Sequence, residues 1–202
     1  MDKKVVITIG REFGSGGREI GEKLAEKLKI AYYDRNILDL VAQKSGIDKK
    51  YLETEDEKAS NPFDEPYVPH WLDTGTLSER LFRMQSKLIR EKAEEESCVV
   101  VGRCSDVLLR ERTDAFHIFV FAPFEYRVNR AMELFQIEDR EKAEKVVKKA
   151  DKARKTYYQY YTDEKWGSRN GKDLLINSST CGIDGSVEMI IKLLEEKGYR
   201  NS

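Results

Sequence analysis

The chain has 202 residues, enough for one α/β core with excursions but hardly for two independent domains. Charged residues make up 36% of it, yet the formal net charge is −1, which argues against the basic surface of a nucleic-acid-binding protein. No apolar stretch approaches the roughly 18 residues of a membrane span, and the N-terminus runs directly into a predicted strand, so we expect neither a membrane span nor a signal peptide.

The cysteines and histidines are few and are not spaced like metal ligands. Cys98, Cys104 and Cys181 are an odd number, and His70 and His117 are the only two histidines. A zinc site and a disulfide framework are therefore not expected. The composition favours a cytoplasmic protein with reduced thiols.

The first predicted element is a β-branched run, Val5–Ile9, which leads into a glycine-rich loop and then an amphipathic helix. Gly14, Gly16 and Gly17 can adopt positive φ without the steric penalty of a Cβ atom. The backbone N–H groups of such a loop line a cavity, and the following helix points its unbonded N–H groups at the same place. This order predicts a polyphosphate site; the alternative is a tight turn without a ligand.

The loop departs from the usual phosphate-loop pattern G-x-x-x-x-G-K-[ST]. Arg11 stands in the place of the first glycine, Gly17 in that of the lysine and Arg18 in that of the hydroxyl. Because a guanidinium holds phosphate oxygens in pairs, we predict that Arg18, with Arg11, substitutes for the lysine. The predicted phosphate-binding residues of this segment are Gly10, Arg11, Gly14, Ser15, Gly16, Gly17, Arg18 and Glu19.

Four later stretches also resemble short buried strands, because each is apolar and rich in β-formers. They are Ala31–Tyr33, Cys98–Val101, His117–Phe121 and Leu174–Ile176. Stripes of apolar residues at helical spacing lie between them or follow them. The alternation predicts an α/β fold with a parallel five-stranded sheet flanked by helices. Ligands of such sheets bind at the carboxyl ends of the strands.

Two stretches interrupt the alternation. Residues 45–76 are charged, contain Pro62, Pro66 and Pro69, and are longer than a connection needs. Residues 134–170 are highly charged and helical, and then rich in tyrosine. We expect the tyrosines, with Trp166, to pack a helix; stacking on a base is the alternative.

Three segments together resemble the cytidylate kinase-like branch of the nucleoside monophosphate kinases. They are the loop Gly-Arg-Glu-Phe-Gly-Ser-Gly-Gly-Arg-Glu, then Tyr-Tyr-Asp-Arg, and then Val-Val-Gly-Arg. The resemblance extends from Val5 to about Leu194, and the glycine loop is its most distinctive part. It implies one P-loop NTPase-type domain over residues 1–202, with a helical acceptor-binding insert at 36–85 and a lid at 132–168.

The activity implied by the resemblance is transfer of the γ-phosphoryl group of ATP, or another nucleoside triphosphate, to a monophosphate with the help of Mg²⁺. This chemistry depends on positioning and charge neutralisation. We expect small-molecule nucleotides as partners, and neither nucleic acid nor a membrane. CMP is the first candidate acceptor. The alternatives are a nucleotide-binding regulatory protein that has lost catalysis and a kinase for a different small molecule.

Acceptor binding is assigned by the same resemblance to residues that follow the second and third strands. Arg103 matches the arginine of the family's Gly-Arg-Asp motif, and Asp106 is the nearest substitute for its aspartate. Asp34 matches an aspartate beside the acceptor, or else caps a helix. Arg35 either replaces an arginine missing near Leu40 or is a surface residue. Weaker matches on the insert helix are Arg83 and Gln85.

The lid segment supplies the remaining candidates. Arg127 and Arg130 lie three residues apart, so they share a helix face. The resemblance implies that arginines at these positions close on the donor phosphates. Asp151 and Arg154 resemble the family's Asp-x-x-Arg motif, with Arg154 as the clamp and Asp151 orienting it; a surface ion pair is the alternative. The predicted catalytic residues are Arg18, Arg103 and Arg154.

The metal ligands do not follow from the sequence. The hydroxyl of the usual loop pattern is missing, so Mg²⁺ would be held by phosphates and water, near Ser15 or Asp106. A catalytic base is not required, because a phosphate acceptor is already ionised at neutral pH.

Overall fold

The computed structural model describes residues 4–50, 52–53 and 76–199. Five strands form one sheet in the order β2-β3-β1-β4-β5, and every neighbouring pair is parallel. The strands are β1 (Val6–Arg11), β2 (Ala31–Tyr33), β3 (Cys98–Val101), β4 (Ala115–Phe121) and β5 (Leu174–Asn177). The predicted parallel five-stranded α/β fold is confirmed.

Two strands have the predicted bounds, and three extend beyond them. β1 runs two residues past Ile9, because Gly10 and Arg11 continue to pair with residues of β4. β4 begins two residues before His117, and β5 ends at Asn177. Gly10, Arg11, Ala115 and Asn177 are polar or small and escape detection from apolar runs, although their backbones pair equally well; Phe116 was missed despite being apolar and buried.

Seven helices lie wholly within the described residues. They are α1 (Gly17–Leu28), α2 (Asn36–Ser45), α3 (Leu77–Glu95), α4 (Ser105–Leu108), α5 (Phe124–Phe135), α6 (Arg140–Thr162) and α7 (Ser178–Glu196), which is kinked at Gly182. Thr76 and Glu79 form a reciprocal capping box at the start of α3. Between residues 4 and 199, apart from 51 and 54–75, no helix has both the length and the apolarity that a membrane span requires.

Apolar layers cover both faces of the sheet. On one face, Ile7 and Ile9 pack with Leu24 of α1 and Val187 of α7. On the other face, Val6 and Val100 pack with residues of α2 and α3. α2 and α3 belong to the predicted insert, and α6 belongs to the predicted lid. Those two assignments stay predictions, and Pro62, Pro66, Pro69 and His70 lie outside the described residues.

Aromatic side chains join α3 to α6. The Phe82 ring stacks on Tyr161 with centroids 4.0 Å apart, and Tyr157 meets Phe82 edge-on at 6.1 Å. The Tyr160 hydroxyl donates a hydrogen bond to Glu79 at 3.0 Å. The tyrosines therefore pack α6 against α3, which is the packing role favoured by the sequence.

Arg127 of α5 and Asp151 of α6 fasten the loop between β1 and α1. The Arg127 guanidinium donates to the Phe13 carbonyl at 3.1 Å, to the Ala122 carbonyl at 3.0 Å and to Asp151 at 2.5 Å, and it lies 3.1 Å from Glu12. Asp151 also accepts the Phe13 backbone N–H at 2.7 Å. These contacts fix the first half of the loop to both helices.

His117 is a structural residue inside β4. Its Nδ1 lies 2.8 Å from the Thr8 hydroxyl, and its backbone N–H donates to Asp173 at 2.8 Å. Burial, only partly opposed by Asp173, lowers the pKa of His117. The neutral imidazole is therefore the form that suits the folded protein.

We expect Asp151→Ala to reduce the free energy of unfolding by roughly 1–3 kcal/mol, because Phe13 N–H and the Arg127 guanidinium lose a buried acceptor. The neighbouring exposed residue gives a control, Lys152→Ala, which should stay within about 0.5 kcal/mol of the wild type. Urea denaturation at pH 7.5 measures both. Equal effects of the two substitutions would contradict this account of the loop.

A second prediction concerns the stability of the folded protein at low pH. Unfolded His117 takes up a proton near its usual pKa of about 6.5, whereas the folded protein resists protonation until lower pH. The free energy of unfolding should therefore fall as the pH drops below about 6.5. His117→Gln should lose less stability between pH 7.5 and 5.5 than the wild type. Parallel pH profiles of the two proteins would show that His117 does not contribute.

Candidate active site

A cavity of about 290 Å³ lies between the carboxyl end of the sheet and helix α6. This volume is just below the usual range for small-molecule sites, about 300–1,000 Å³. Its aromatic lining consists of Phe13, Phe119, Tyr157, Tyr158 and Trp166. Its charged lining consists of Arg11, Asp34, Arg35, Arg103, Asp106, Arg154 and Lys172. The position matches the edge at which parallel sheets bind their ligands.

Positive charge predominates in the cavity. Five cationic side chains face two carboxylates there. Asp34 lies 3.4 Å from the Arg11 guanidinium, and Asp106 lies 2.5 Å from the Lys172 ammonium. Like charges held together in a partly buried site repel one another, so an anionic guest would relieve the repulsion.

Arg154 extends from α6 over the start of the glycine loop. Its guanidinium donates to the Arg11 carbonyl at 3.2 Å and lies 5.4 Å from the centre of the Phe13 ring. Burial and the nearby Arg11 charge lower the pKa of Arg154 to about 9. Its sequence-predicted partner Asp151 hydrogen-bonds to Arg127 and Phe13 instead. The alternative of a surface ion pair with Asp151 does not describe this site.

The turn after β3 holds Arg103 in an uncommon backbone conformation. Gly102, Arg103 and Cys104 have φ of 76°, 57° and 54° in succession. A Cβ atom on Gly102 would lie 1.9 Å from the Arg11 guanidinium, so glycine leaves room for Arg11 beside this turn and also tolerates the positive φ. Left-handed non-glycine residues are strained and cluster at functional sites. Arg103 also donates to the buried Gln85 side chain at 3.4 Å.

The glycines of the predicted phosphate loop each lie close to a neighbouring group. Gly14 and Gly16 have φ of 76° and 80°, in the left-handed region expected from the sequence. Gly17, which was expected to share this freedom, is instead the first residue of α1 and has no positive φ. A Cβ atom on Gly16 would lie 2.1 Å from Ile183 of α7, and one on Gly14 would lie 2.6 Å from the Arg127 carbonyl. Ile183 therefore covers part of the backbone that was predicted to hold phosphate.

Arg18 and Asp34, which were predicted to bind different substrates, form an ion pair with each other. Arg18 Nε lies 3.3 Å from Asp34 and 3.1 Å from Glu22. The Arg18 side chain is 58% exposed and does not line the cavity. Asp34 lies between Arg18 and Arg11, and Arg35 follows it at the cavity wall. The N-cap position of α2 is Arg35, without a side-chain cap, so the alternative of an Asp34 cap does not hold.

The remaining candidates lie farther from the cavity. Arg130 donates to Glu19 at 2.5 Å and lies beside Gly16. Arg127 holds the loop as described above. Arg83 is exposed beside Ile47 and Met84 in a separate recess, so the fold does not bring it into the cavity.

Lys172 is the charged cavity residue that the sequence analysis did not single out. It lies in a polar turn before β5, where charged residues are common and usually solvated. Its side chain is nevertheless only 3% exposed. Sequence spacing gives no signal for it, because the contact with Asp106 joins residues 66 positions apart.

The side-chain oxygens that we expected near Mg²⁺ are engaged by protein. The Ser15 hydroxyl donates to the Glu12 carbonyl at 2.9 Å. Asp106 Oδ2 accepts from Tyr158 at 2.8 Å and meets Lys172 at 2.5 Å. In the described part of the chain, no group of three or more His, Cys, Asp or Glu side chains could hold a metal ion. This arrangement does not fit direct protein ligation of Mg²⁺, and we derive no step through the metal.

Solved structures with the same fold include kinases. A crystal structure of an uncharacterized protein from Eubacterium ventriosum is 30% identical, with a TM-score of 0.73 over 95% of this chain and 99% of that one. A shikimate kinase from Bacteroides thetaiotaomicron is 14% identical, with a TM-score of 0.56 over 95% and 98% of the two chains. A shikimate kinase from Acinetobacter baumannii is 16% identical, with a TM-score of 0.53 over 98% and 97%. The similarity to the two shikimate kinases shows a shared fold and nothing about activity.

No curated protein matches the chain. A family model does match, over residues 6–180, and it is the model of the cytidylate kinase-like family. The match includes the glycine loop, all five strands and helix α6. Together with the fold, it supports a kinase-type phosphotransferase. The chain belongs to the cytidylate kinase-like family.

Proposed function

We propose that the protein transfers the γ-phosphoryl group of a nucleoside triphosphate to a small phosphorylated acceptor, with a nucleoside monophosphate as the first candidate. The observation that carries this proposal is the excess of cations in a cavity beside the glycine loop. Phosphoryl transfer needs such charge where the two reacting phosphates meet. A membrane-spanning helix is lacking in the described ranges, and a cytoplasmic location stays a prediction.

The two phosphates would approach from opposite sides of Arg11 and Arg154. Backbone N–H groups of the glycine loop and of the first turn of α1 would hold the triphosphate. Arg103 and Arg35 would hold the acceptor phosphate at the ends of β3 and β2. An acceptor oxygen would attack the γ-phosphorus while the bond to the β-phosphate oxygen breaks, and the nucleoside diphosphate would leave. Mg²⁺ would be held by the phosphates and water.

A nucleotide-binding regulatory protein without catalysis is the second candidate. It is favoured by the contacts of Arg18, which lies against Asp34 and Glu22 outside the cavity. Gly17 also offers no side chain where a phosphate loop usually carries lysine. Tight triphosphate binding without turnover on any acceptor would support this candidate. A kinase for another small molecule remains the third alternative from the sequence.

A coupled assay of nucleoside diphosphate release tests the proposed function. A thermal-shift screen of nucleoside monophosphates comes first, because a ligand that binds the folded state raises the apparent stability. We expect at least one monophosphate to support turnover with ATP and Mg²⁺. Arg154→Met should then lower kcat by roughly 10²-fold, because a buried cation at the reacting phosphates is lost. An unchanged kcat would remove Arg154 from the catalytic residues.

The next prediction concerns the part of Arg18 in triphosphate binding. If Arg18 turns from Asp34 to the phosphates, Arg18→Ala should weaken triphosphate binding by roughly 1.5–3 kcal/mol, the contribution of a charge-assisted hydrogen bond. The matched control on the same helix is Lys23→Ala, since Lys23 is exposed and pairs with Asp184 of α7. Titration calorimetry with ATP measures both. Affinity that stays the same in Arg18→Ala would assign Arg18 to the surface pair with Glu22.

A further inference from the structure

The side chain of Arg11 occupies the space that a side chain at position 17 would need. Arg11 stands at the first glycine position of the usual phosphate-loop pattern, and Gly17 stands at the lysine position. A Cβ atom on Gly17 would lie 2.5 Å from Arg11 Cβ and 3.2 Å from Arg11 Cγ. Non-bonded carbon atoms prefer separations of about 3.5–4.0 Å. The loop therefore has room for a long side chain at position 11 or at position 17, but not at both.

The far end of the same side chain is accommodated by a second glycine. The Arg11 guanidinium passes the turn after β3, where a Cβ atom on Gly102 would lie 1.9 Å from Arg11 Nη1. The stem of the side chain starts beside Gly17, the first residue of α1, and the side chain lines the cavity. Two glycines from separate parts of the chain thus leave room for one arginine.

Arg11 is also the cation that connects the glycine loop with the cavity. Of the two arginines in the predicted phosphate-binding segment, Arg11 lines the cavity and Arg18 does not. The Arg11 side chain is 20% exposed, whereas that of Arg18 is 58% exposed. In the usual pattern the lysine of the loop reaches the β- and γ-phosphates. Arg11 is the arginine of this loop that is placed to do the same.

Most of the hydrogen-bonding capacity of Arg11 is unused within the described part of the protein. A guanidinium has five N–H donors, and the acceptor that the Arg11 group meets there is Asp34, at 3.4 Å. Asp34 is shared, because its other oxygen lies 3.3 Å from Arg18. Burial lowers the pKa of Arg11; Asp34 opposes this effect, and the charge of Arg103 adds to it. An anion bound to Arg11 would engage the remaining donors and relieve the repulsion between the two arginines.

We propose that Arg11 replaces the missing lysine of the phosphate loop and is a catalytic residue that contacts the transferred γ-phosphoryl group. Its guanidinium would hold oxygens of that group while an acceptor oxygen bonds to the γ-phosphorus and the bond to the β-phosphate oxygen breaks. The electrons of the broken bond leave with the nucleoside diphosphate, and Arg11 keeps its proton and its charge. The proposal rests on the proposed function and names the residue that supplies the charge of the altered loop.

The test moves the cation to the usual position. Arg11→Gly with Gly17→Lys restores the glycine and the lysine of the pattern, and Arg11→Ala with Gly17→Lys differs from it by one methyl group. That methyl group is the Cβ atom that would lie 2.5 Å from a side chain at position 17. In the glycine version the closest remaining neighbour is Val120 Cβ at 3.2 Å, which has to shift by only a few tenths of an ångström.

Kinetics with ATP, Mg²⁺ and the best monophosphate acceptor measure the effect in the full chain. We expect Arg11→Met and Arg11→Gly to lower kcat by roughly 10²-fold, as for the loss of one preorganised donor. Arg11→Gly with Gly17→Lys should regain about tenfold or more of that loss, and the alanine version should regain less and unfold at a lower temperature. The matched control is the exposed Arg90→Met on α3, which should stay within about twofold of the wild type.

Thermal unfolding of each variant is measured beside the kinetics. Recovery in the glycine version supports the proposal, because a lysine at another position would not fill a merely structural role of Arg11. A kcat of Arg11→Met within about twofold of the wild type overturns it. A glycine version that is no more active or no more stable than the alanine version overturns it as well.

Nucleotide binding separates this inference from the proposed function. By titration calorimetry, Arg11→Met should weaken ATP binding about tenfold or more, and ADP, which lacks the γ-phosphate, should be affected less. This binding pattern without turnover on any monophosphate would overturn the proposed acceptor class and support Arg11 as the cation that replaces the lysine. Equal ATP affinity of the wild type and Arg11→Met would overturn the role of Arg11 and leave the phosphotransferase standing.

Discussion

Repulsion among buried cations is the interaction on which the rest of the site depends. Arg11, Arg154 and Arg103 meet where three strands end, and the two carboxylates of the cavity lie against Arg11 and Lys172. The lowered pKa of Arg154 reflects burial and the charge of Arg11. A fold that keeps such groups together holds them in place by other contacts. Arg154 donates to a main-chain carbonyl, Arg103 donates to the Gln85 side chain, and Arg11 and Lys172 pair with the two carboxylates.

The main-chain contacts also explain how helix α6 is attached to the sheet. Arg154 donates to the Arg11 carbonyl, and Asp151 accepts from the Phe13 N–H, so two side chains of one helix hold consecutive parts of the same loop. Arg127 joins this network from α5. The position of α6 and the conformation of the loop are therefore coupled, and a change in one is transmitted to the other.

The sequence predicted the sheet and the place of the site well, because both depend on local signals. Short apolar runs rich in β-formers marked all five strands, and glycines marked the loop after β1 and the turn after β3. Contacts between distant residues had no such signal. The pairing of Asp151 with Arg127, the position of Ile183 over Gly16 and the burial of Lys172 result from packing between separate elements. Prediction from sequence was limited in the same way for Arg18. Its place after the glycine loop suited a phosphate-binding residue, but its side chain pairs with Asp34.

The stacked rings of Phe82 and Tyr161 have a mechanical consequence. They join a helix of the predicted insert to a helix of the predicted lid, and the Tyr160 hydroxyl adds a hydrogen bond to Glu79. Pulling these helices apart would hydrate the aromatic surfaces, at about 25 cal/mol for each Å² exposed. Because α3 is itself packed on the sheet, the stack anchors this part of α6 to the core, and a movement of α6 away from the cavity would first have to break it.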